Sequence, residues 1–183
     1  MSKQPWDIRD TSPLGDGDDN AIFNAVGRAL TEWETVEVEC AKLFAVFVST
    51  RHKRTYHAPA VRAYGSIVGT RSRKNMLQLA AETYFANRKT KKAAFEEQFA
   101  KLIGEYDQYS NRRNEIAHGF VKQIALTKRH KAIGYYLLPS FYNPKKFKKG
   151  GFTYLYISKD LVHYRQEFTK LQLRLSGLRE QLS

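Results

Sequence analysis

One stretch of the sequence, residues 110–119, brings together side chains that could act on a phosphate. It contains Arg113, Asn114 and His118, and a glycine follows the histidine directly. In a helix, Asn114 and His118 are four residues apart and lie on one face, and the long Arg113 side chain can reach round from the edge of that face. Because glycine is common just past a helix C-terminus, the spacing predicts a helix that ends at His118.

These three residue types supply what the cleavage of RNA by its own 2′-hydroxyl requires. Histidine titrates near neutral pH and can give or take a proton. Arginine stays charged and can hold two phosphate oxygens at once, while asparagine can orient a ring or a hydroxyl. This chemistry needs no metal and no cofactor, so we expect neither. The alternative is a solvated helix face, since arginine and histidine often lie a few residues apart in a basic chain.

The segment Arg113-Asn114-x-x-x-His118 resembles the signature of the HEPN superfamily, in which a polar residue follows an arginine and a histidine comes a few residues later. The resemblance implies an up-and-down helical bundle that dimerises, so that two motifs face each other across a two-fold axis. It implies a metal-independent endoribonuclease with Arg113, Asn114 and His118 as catalytic residues. It also implies a toxin or anti-phage defence context, with an antitoxin or regulatory protein as a further partner.

Hydrophobic periodicity predicts the helices that must hold this motif. Apolar residues recur at steps of three and four along most of the chain. The predicted helices span residues 21–50, 60–67, 72–87, 91–118 and 159–182. Prolines and glycines interrupt residues 1–20, which predicts an irregular arm, with Asp18, Asp19 or Asn20 capping the first helix. Residues 21–183 are expected to form a single, mainly helical domain.

The residue composition of the sequence changes between the fourth and fifth predicted helices. Residues 135–140 and 152–157 are rich in aromatic and β-branched residues, as strands are, and a basic, turn-prone segment separates them. This pattern predicts a small β-hairpin over about 134–157, inserted before the C-terminal helix. The lysines of its tip are Lys145, Lys146, Lys148 and Lys149. Lysines beside aromatic residues suit nucleic-acid binding, but they also protect sheet edges from association, and both explanations stay open.

Glu37 falls inside or beside the apolar stripe of the first predicted helix. A carboxylate in that position is costly unless it is paired. We expect Glu37 to pair with Arg113 or His118 and to belong to the catalytic site; the alternative is a place at the edge of the stripe, in contact with water. Some HEPN members carry an acidic residue on an early helix near the motif, which favours the first interpretation.

The formal net charge of +13 indicates a polyanionic partner, for which RNA or another nucleic acid is expected. The alternative is a basic protein with no particular partner. Arg71, Arg73 and Lys74 crowd the N-terminus of the third predicted helix, where extra cations suit an anion. Together with Arg112 and the hairpin lysines, they are the expected nucleic-acid-binding residues. The alternative for the cluster at residues 71–74 is again a solvated helix face.

Composition excludes several other classes of protein. The lone Cys40 leaves no disulfide framework and no cysteine zinc site, and it suits a reducing cytoplasm. The sequence has no apolar run of about eighteen residues, so we expect no transmembrane helix and no membrane partner. P-loop, dinucleotide-binding and H-E-x-x-H motifs are also missing from the sequence.

Two rivals to the ribonuclease stay open. The first is a non-catalytic, nucleic-acid-binding module of the same superfamily, for which the basic residues matter more than His118. The second is a structural dimer in which Arg113, Asn114 and Glu37 form a buried polar network.

Overall fold

The computed structural model describes residues 3–49, 58–86, 93–125, 133–140, 147–148 and 151–182. Its helices are α1 (Asp19–Val48), α2 (Ala58–Gly65), α3 (Thr70–Ala86), α4 (Ala93–His118) and α5 (Ser158–Leu182). Its strands are β1 (Phe120–Ile124), β2 (Gly134–Leu138), β3 (Phe147–Lys148) and β4 (Gly151–Phe152). The mainly helical fold with a small antiparallel element before the last helix is therefore confirmed. None of the helices in these ranges combines the length and the apolar character needed to cross a membrane.

The chain forms two compact units. Unit 1 contains Met1–Trp33 and Gln108–Phe168, and unit 2 contains Glu34–Asp107 and Thr169–Ser183. Three helices, α1, α4 and α5, therefore have one part in each unit. The motif at the end of α4 belongs to unit 1, whereas Glu37 and the start of α3 belong to unit 2.

Aromatic rings fill the helical core of unit 1. Phe168 on α5 packs edge-on against Trp33 of α1, with ring centroids 5.1 Å apart, and against Tyr109 of α4 at 6.0 Å. All three side chains are buried. Because large aromatic rings bury more apolar surface than other side chains, this cluster anchors the last two turns of α4 to the neighbouring helices.

The strands of unit 1 pair differently from the prediction. β1 runs antiparallel to β2 in a register that joins Phe120 to Leu138 at one end and Ile124 to Gly134 at the other. Among the described residues, the segment 152–157 meets β2 in a single bridge between Leu137 and Tyr156, and β3 pairs with β4 over two residues. Strand composition indicates that a segment is extended, but which segments pair depends on long-range packing. Here β2 pairs mainly with β1, the strand that directly follows α4.

The N-terminal arm is irregular, as predicted, but it is bonded to the rest of unit 1. The main-chain N–H of Asp16 donates to the Tyr135 carbonyl at 3.0 Å, and the Tyr135 N–H donates back at 2.8 Å. The Asp16 carboxylate also accepts the N–H and the hydroxyl of Ser158, the first residue of α5, at 2.7 Å each. Among the three predicted caps of α1, Asp18 does the capping and accepts the Asn20 N–H at 3.0 Å.

Unit 2 has its own aromatic core. Phe47, near the end of α1, contacts Tyr84 and Phe85 of α3 and Phe99 of α4, with ring centroids between 5.2 and 5.7 Å apart. All four side chains are buried. Unit 2 also buries several carboxylates, and each of those considered below has a cation or a hydroxyl as its partner.

Candidate functional site at the end of helix four

Helix α4 ends at His118, as predicted, and β1 begins at Phe120. Gly119 joins them without adopting the left-handed conformation that often follows a helix. A Cβ at this position would lie 2.7 Å from Cγ of Leu137 and 3.0 Å from the Glu115 carbonyl oxygen. Glycine is therefore needed here because β2 passes close to the end of the helix.

The three motif residues lie in the last two turns of α4, and a hydrogen bond joins two of their side chains. Asn114 and His118 are exposed, and Arg113 is half-buried. Nη1 of Arg113 donates to Oδ1 of Asn114 at 3.3 Å. The helix spans all three residues, so Asn114 and His118 share a face as predicted, with the guanidinium bonded to that face. Within the described ranges, the imidazole of His118 forms no hydrogen bond.

A buried polar trio lies in the same last turns of α4. The carboxylate of Glu115, which is 5% exposed, accepts the Tyr156 hydroxyl at 2.7 Å and Nη1 of Arg112 at 2.9 Å. The same nitrogen lies 3.2 Å from the Tyr156 hydroxyl oxygen. Burial, and after it the Glu115 carboxylate, holds the pKa of Tyr156 well above its usual range, so this phenol stays protonated and donates.

A second tyrosine bonds the same glutamate through its main chain. The Tyr154 hydroxyl donates to the Glu115 carbonyl at 3.1 Å. The rings of Tyr154 and Tyr156 are stacked, with centroids 4.5 Å apart and planes at 16°. We call these two residues the tyrosine clamp.

Glu37 is buried, at 7% exposure, so the alternative in which it reaches water is wrong. Its Oε1 accepts the Tyr106 hydroxyl at 2.7 Å, and its Oε2 lies 3.3 Å from Nη1 of Arg73. Burial, Cys40 and Glu37 together raise the pKa of Tyr106 far above its usual range, so this hydroxyl is a donor. Burial also raises the pKa of the Cys40 thiol, which makes it a poor nucleophile. The expected pairing of Glu37 with Arg113 or His118 stays a prediction.

Arg73, one of the cations expected to bind nucleic acid, is engaged inside unit 2 through all three of its nitrogens. Besides contacting Glu37, it donates from Nε to the Ile67 carbonyl at 2.9 Å and from Nη2 to the Gly65 carbonyl at 3.2 Å. Gly65 is the last residue of α2, so the guanidinium acts as a C-terminal cap for that helix.

The other basic residues expected to bind nucleic acid differ in their surroundings. Lys74 bonds Asp107 at 2.7 Å, and the side chain of Arg112 is 12% exposed within its trio. Arg71 is exposed at the start of α3. Among the hairpin lysines, Lys148 lies in β3. Lys145, Lys146 and Lys149 lie outside the described residues. We therefore leave Arg73, Lys74 and Arg112 out of the RNA surface proposed below.

Sequence reasoning missed Glu115, Tyr154 and Tyr156. Two local signals point to them in retrospect. Residues two apart in an extended segment face the same side, which groups the tyrosines. Glu115 also follows Arg112 by three residues, the spacing of an ion pair on a helix. Neither signal shows that the two segments meet.

Comparison with known proteins adds no relative to these observations. The chain matches no protein-family model, no curated protein and no solved structure. The HEPN resemblance therefore rests on the motif and on its place at the end of a long helix. Within the described part of the chain, no three His, Cys, Asp or Glu side chains are grouped as metal ligands are.

Proposed function

We propose that this protein is a metal-independent endoribonuclease of HEPN type that acts as a homodimer. One observation carries the proposal: Asn114 and His118 are exposed on one face of α4, with Arg113 bonded beside them, on a helix end that buried side chains hold. A catalytic imidazole must be accessible to substrate, and the main chain that carries it must be held in place; the exposure of His118 and the contacts of Glu115 support the proposal on these two points.

In the proposed reaction, the 2′-oxygen of a ribose attacks the adjacent phosphorus and the bond from phosphorus to the 5′-oxygen breaks. The products are a 2′,3′-cyclic phosphate and a 5′-hydroxyl. One His118 takes the proton of the attacking hydroxyl, and the His118 of a second copy gives a proton to the leaving oxygen. A two-fold dimer supplies that second imidazole. Arg113 stabilises the charge that develops on the phosphoryl oxygens, usually the largest catalytic term.

Asn114 orients the reacting groups in this mechanism. Its Oδ1 accepts a hydrogen bond from Arg113, so its NH₂ group is directed elsewhere and can donate to a phosphate oxygen or to an imidazole nitrogen. We assign no proton transfer to Glu37, because both of its carboxylate oxygens already have partners in unit 2.

The RNA would lie along the exposed side of α4. Gln108, Asn111, Asn114 and His118 follow one another at three- and four-residue steps, and all four are exposed. Amide side chains offer both donors and acceptors, so they suit the base edges and phosphates of an unpaired strand. The net charge of +13 provides the long-range attraction. An antitoxin that covers this row would block the enzyme.

Cleavage of labelled single-stranded RNA in the presence of EDTA tests the proposal. We expect His118→Ala to cut about 10²- to 10⁴-fold more slowly than wild type while staying folded and dimeric. His163→Ala is the matched control, because His163 lies on α5 in the same unit and its Nε2 is 3.0 Å from the Pro5 carbonyl oxygen. Unchanged cutting by His118→Ala, or cutting of a strand that lacks 2′-hydroxyls, would overturn the proposal.

The two rivals differ in how well they fit the contacts. The structural-dimer hypothesis placed Asn114 in a buried network, and the exposure of Asn114 argues against it. The non-catalytic RNA-binding module is the second candidate, and the net charge of +13 favours it equally. It predicts salt-sensitive binding without any product, and His118→Ala would then bind RNA as wild type does.

A further inference from the structure

We propose that the tyrosine clamp, Tyr154 and Tyr156, positions the catalytic turn of α4 by fixing Glu115 at two points. Neither tyrosine touches the substrate in this proposal; they act through the helix that carries Asn114 and His118. The catalytic consequence rests on the proposed function, whereas the effect on the helix can be measured without it.

The first point of attachment is the main chain. The Tyr154 hydroxyl donates to the Glu115 carbonyl at 3.1 Å, and Tyr154 is 3% exposed. The end of α4 packs closely against β2, because Gly119 leaves no room for a Cβ beside Leu137. The buried Tyr154 hydroxyl therefore ties the main chain of the last turn of α4 to the segment that precedes α5.

The second point is the side chain of the same residue. The carboxylate of Glu115 accepts the Tyr156 hydroxyl at 2.7 Å and the Arg112 guanidinium at 2.9 Å. Hydrogen bonds to both the main chain and the side chain of Glu115 resist a rotation of this turn about the helix axis. His118 lies three residues further along the same helix, so its direction depends on the rotation that is fixed at Glu115.

The clamp itself is anchored in the sheet. Tyr156 pairs with Leu137 of β2 through both of its main-chain groups, at 2.8 and 3.1 Å. The two rings stack on each other, so both hydroxyls belong to one packed pair. Burial and the Glu115 carboxylate raise the pKa of Tyr154 and of Tyr156, so both hydroxyls keep their protons and donate. The clamp thus joins β2 to the helix end that carries the motif.

The test removes each hydroxyl and keeps each ring, with Tyr154→Phe and Tyr156→Phe. We expect amide hydrogen exchange in residues 115–119 to become about tenfold faster, because each variant loses one hydrogen bond to Glu115. For RNA cleavage we expect kcat to fall about tenfold with little change in KM, since the loss affects the position of His118 and not the binding of RNA.

Tyr84→Phe is the matched control. The Tyr84 hydroxyl donates to the Leu182 carbonyl at 3.3 Å, so the substitution removes the same kind of bond from the end of another helix, in unit 2. We expect it to lower Tm by an amount similar to the clamp variants. Exchange in residues 115–119 and the rate of cleavage should both stay at wild-type values.

The two measurements separate the two proposals. Unchanged exchange in residues 115–119 in both clamp variants overturns the clamp, whatever the cleavage assay shows. Faster exchange with an unchanged kcat in an active enzyme overturns its positioning role. If wild type cuts no RNA, the proposed function fails, and faster exchange in the variants still supports the attachment of the helix end.

Discussion

Each unit buries a glutamate that is bonded by a tyrosine hydroxyl and an arginine, but the two sets differ in what they support. In unit 1 this is the Glu115 trio, formed by Glu115, Tyr156 and Arg112, with contacts of 2.7 and 2.9 Å to the carboxylate. Within this trio, Glu115 lies within one helical turn of His118, whose imidazole is exposed.

In unit 2 the matching set is the Glu37 trio, formed by Glu37, Tyr106 and Arg73, with contacts of 2.7 and 3.3 Å. The other two nitrogens of Arg73 donate to main-chain carbonyls at the end of α2. All the nitrogens of this guanidinium therefore form bonds within unit 2. A buried carboxylate with a tyrosine and an arginine is thus a structural device, and it does not by itself indicate catalysis. The distinguishing feature of unit 1 is the exposed imidazole of His118 within one helical turn of Glu115.

Removal of the two arginines should give the largest effects and should separate the trios. We expect Arg112→Met to lower the free energy of unfolding by about 3–5 kcal/mol, because it removes a closely bonded cation from the buried Glu115 carboxylate. Arg73→Met should cost less, about 2 kcal/mol, because the Arg73 side chain is 28% exposed whereas that of Arg112 is 12% exposed. Urea denaturation measures both values.

The same pair of variants also tests the functional difference between the trios. At a temperature where both variants are fully folded, RNA cleavage should fall for Arg112→Met and stay near wild type for Arg73→Met. Equal losses of cleavage in the two variants would contradict the distinction drawn here.

Substitution of Gly119 should change the free energy of unfolding by an intermediate amount. Gly119→Ala should lower the free energy of unfolding by about 1–3 kcal/mol, because the new Cβ would lie 2.7 Å from the buried Leu137 side chain. Gly27→Ala on α1 is the control, since a Cβ there meets no atom within 4 Å and should stabilise the helix by about 0.5–1 kcal/mol. Chemical denaturation should give changes of opposite sign, and two changes of the same sign would show that the contact at Gly119 is easily relieved.

The smallest effect concerns Glu39, a buried carboxylate of unit 2 that is held by two cations, Lys42 at 2.7 Å and Arg179 at 2.9 Å. Burial works to raise its pKa, but the hydrogen bonds from Lys42 and Arg179 outweigh burial and hold the pKa below the usual 4.5. The stabilisation is therefore complete above the unfolded pKa and is lost as the pH falls through the folded value.

For Glu39→Gln we expect a loss of about 1 kcal/mol at pH 7, because the amide still accepts one hydrogen bond. Thermal unfolding of wild type and variant across a pH series measures the difference. The gap in Tm should narrow as the pH falls from about 5 to about 3. A gap that persists unchanged at low pH would mean that the charge on Glu39 does not matter.

Local sequence signals were enough to predict the helices and the end of α4. Steps of three and four define the helices, and a glycine directly after His118 marks the boundary at which the structure ends α4. The capping of α1 by Asp18 is local in the same sense, because its hydrogen bond spans two residues. The shared face of Asn114 and His118 follows from helix geometry alone.

Local sequence signals could not predict the contacts between distant segments. Arg73 and Lys74 look like an anion site when α3 is considered alone, but their acidic partners, Glu37 and Asp107, lie on other helices. Strand composition predicted the extended segment 152–157 but not that β2 would take β1 as its main partner. The contact between Tyr154 and Glu115 likewise joins residues that are 39 positions apart.

The position of the tyrosine clamp along the chain has a consequence for synthesis in the cell. A ribosome adds His118 well before it adds Tyr154 and Tyr156, so the nascent polypeptide carries the motif while its supporting hydroxyls do not yet exist. If those hydroxyls position the helix end that carries the imidazole, the proposed activity would be weaker in the unfinished chain than in the finished one.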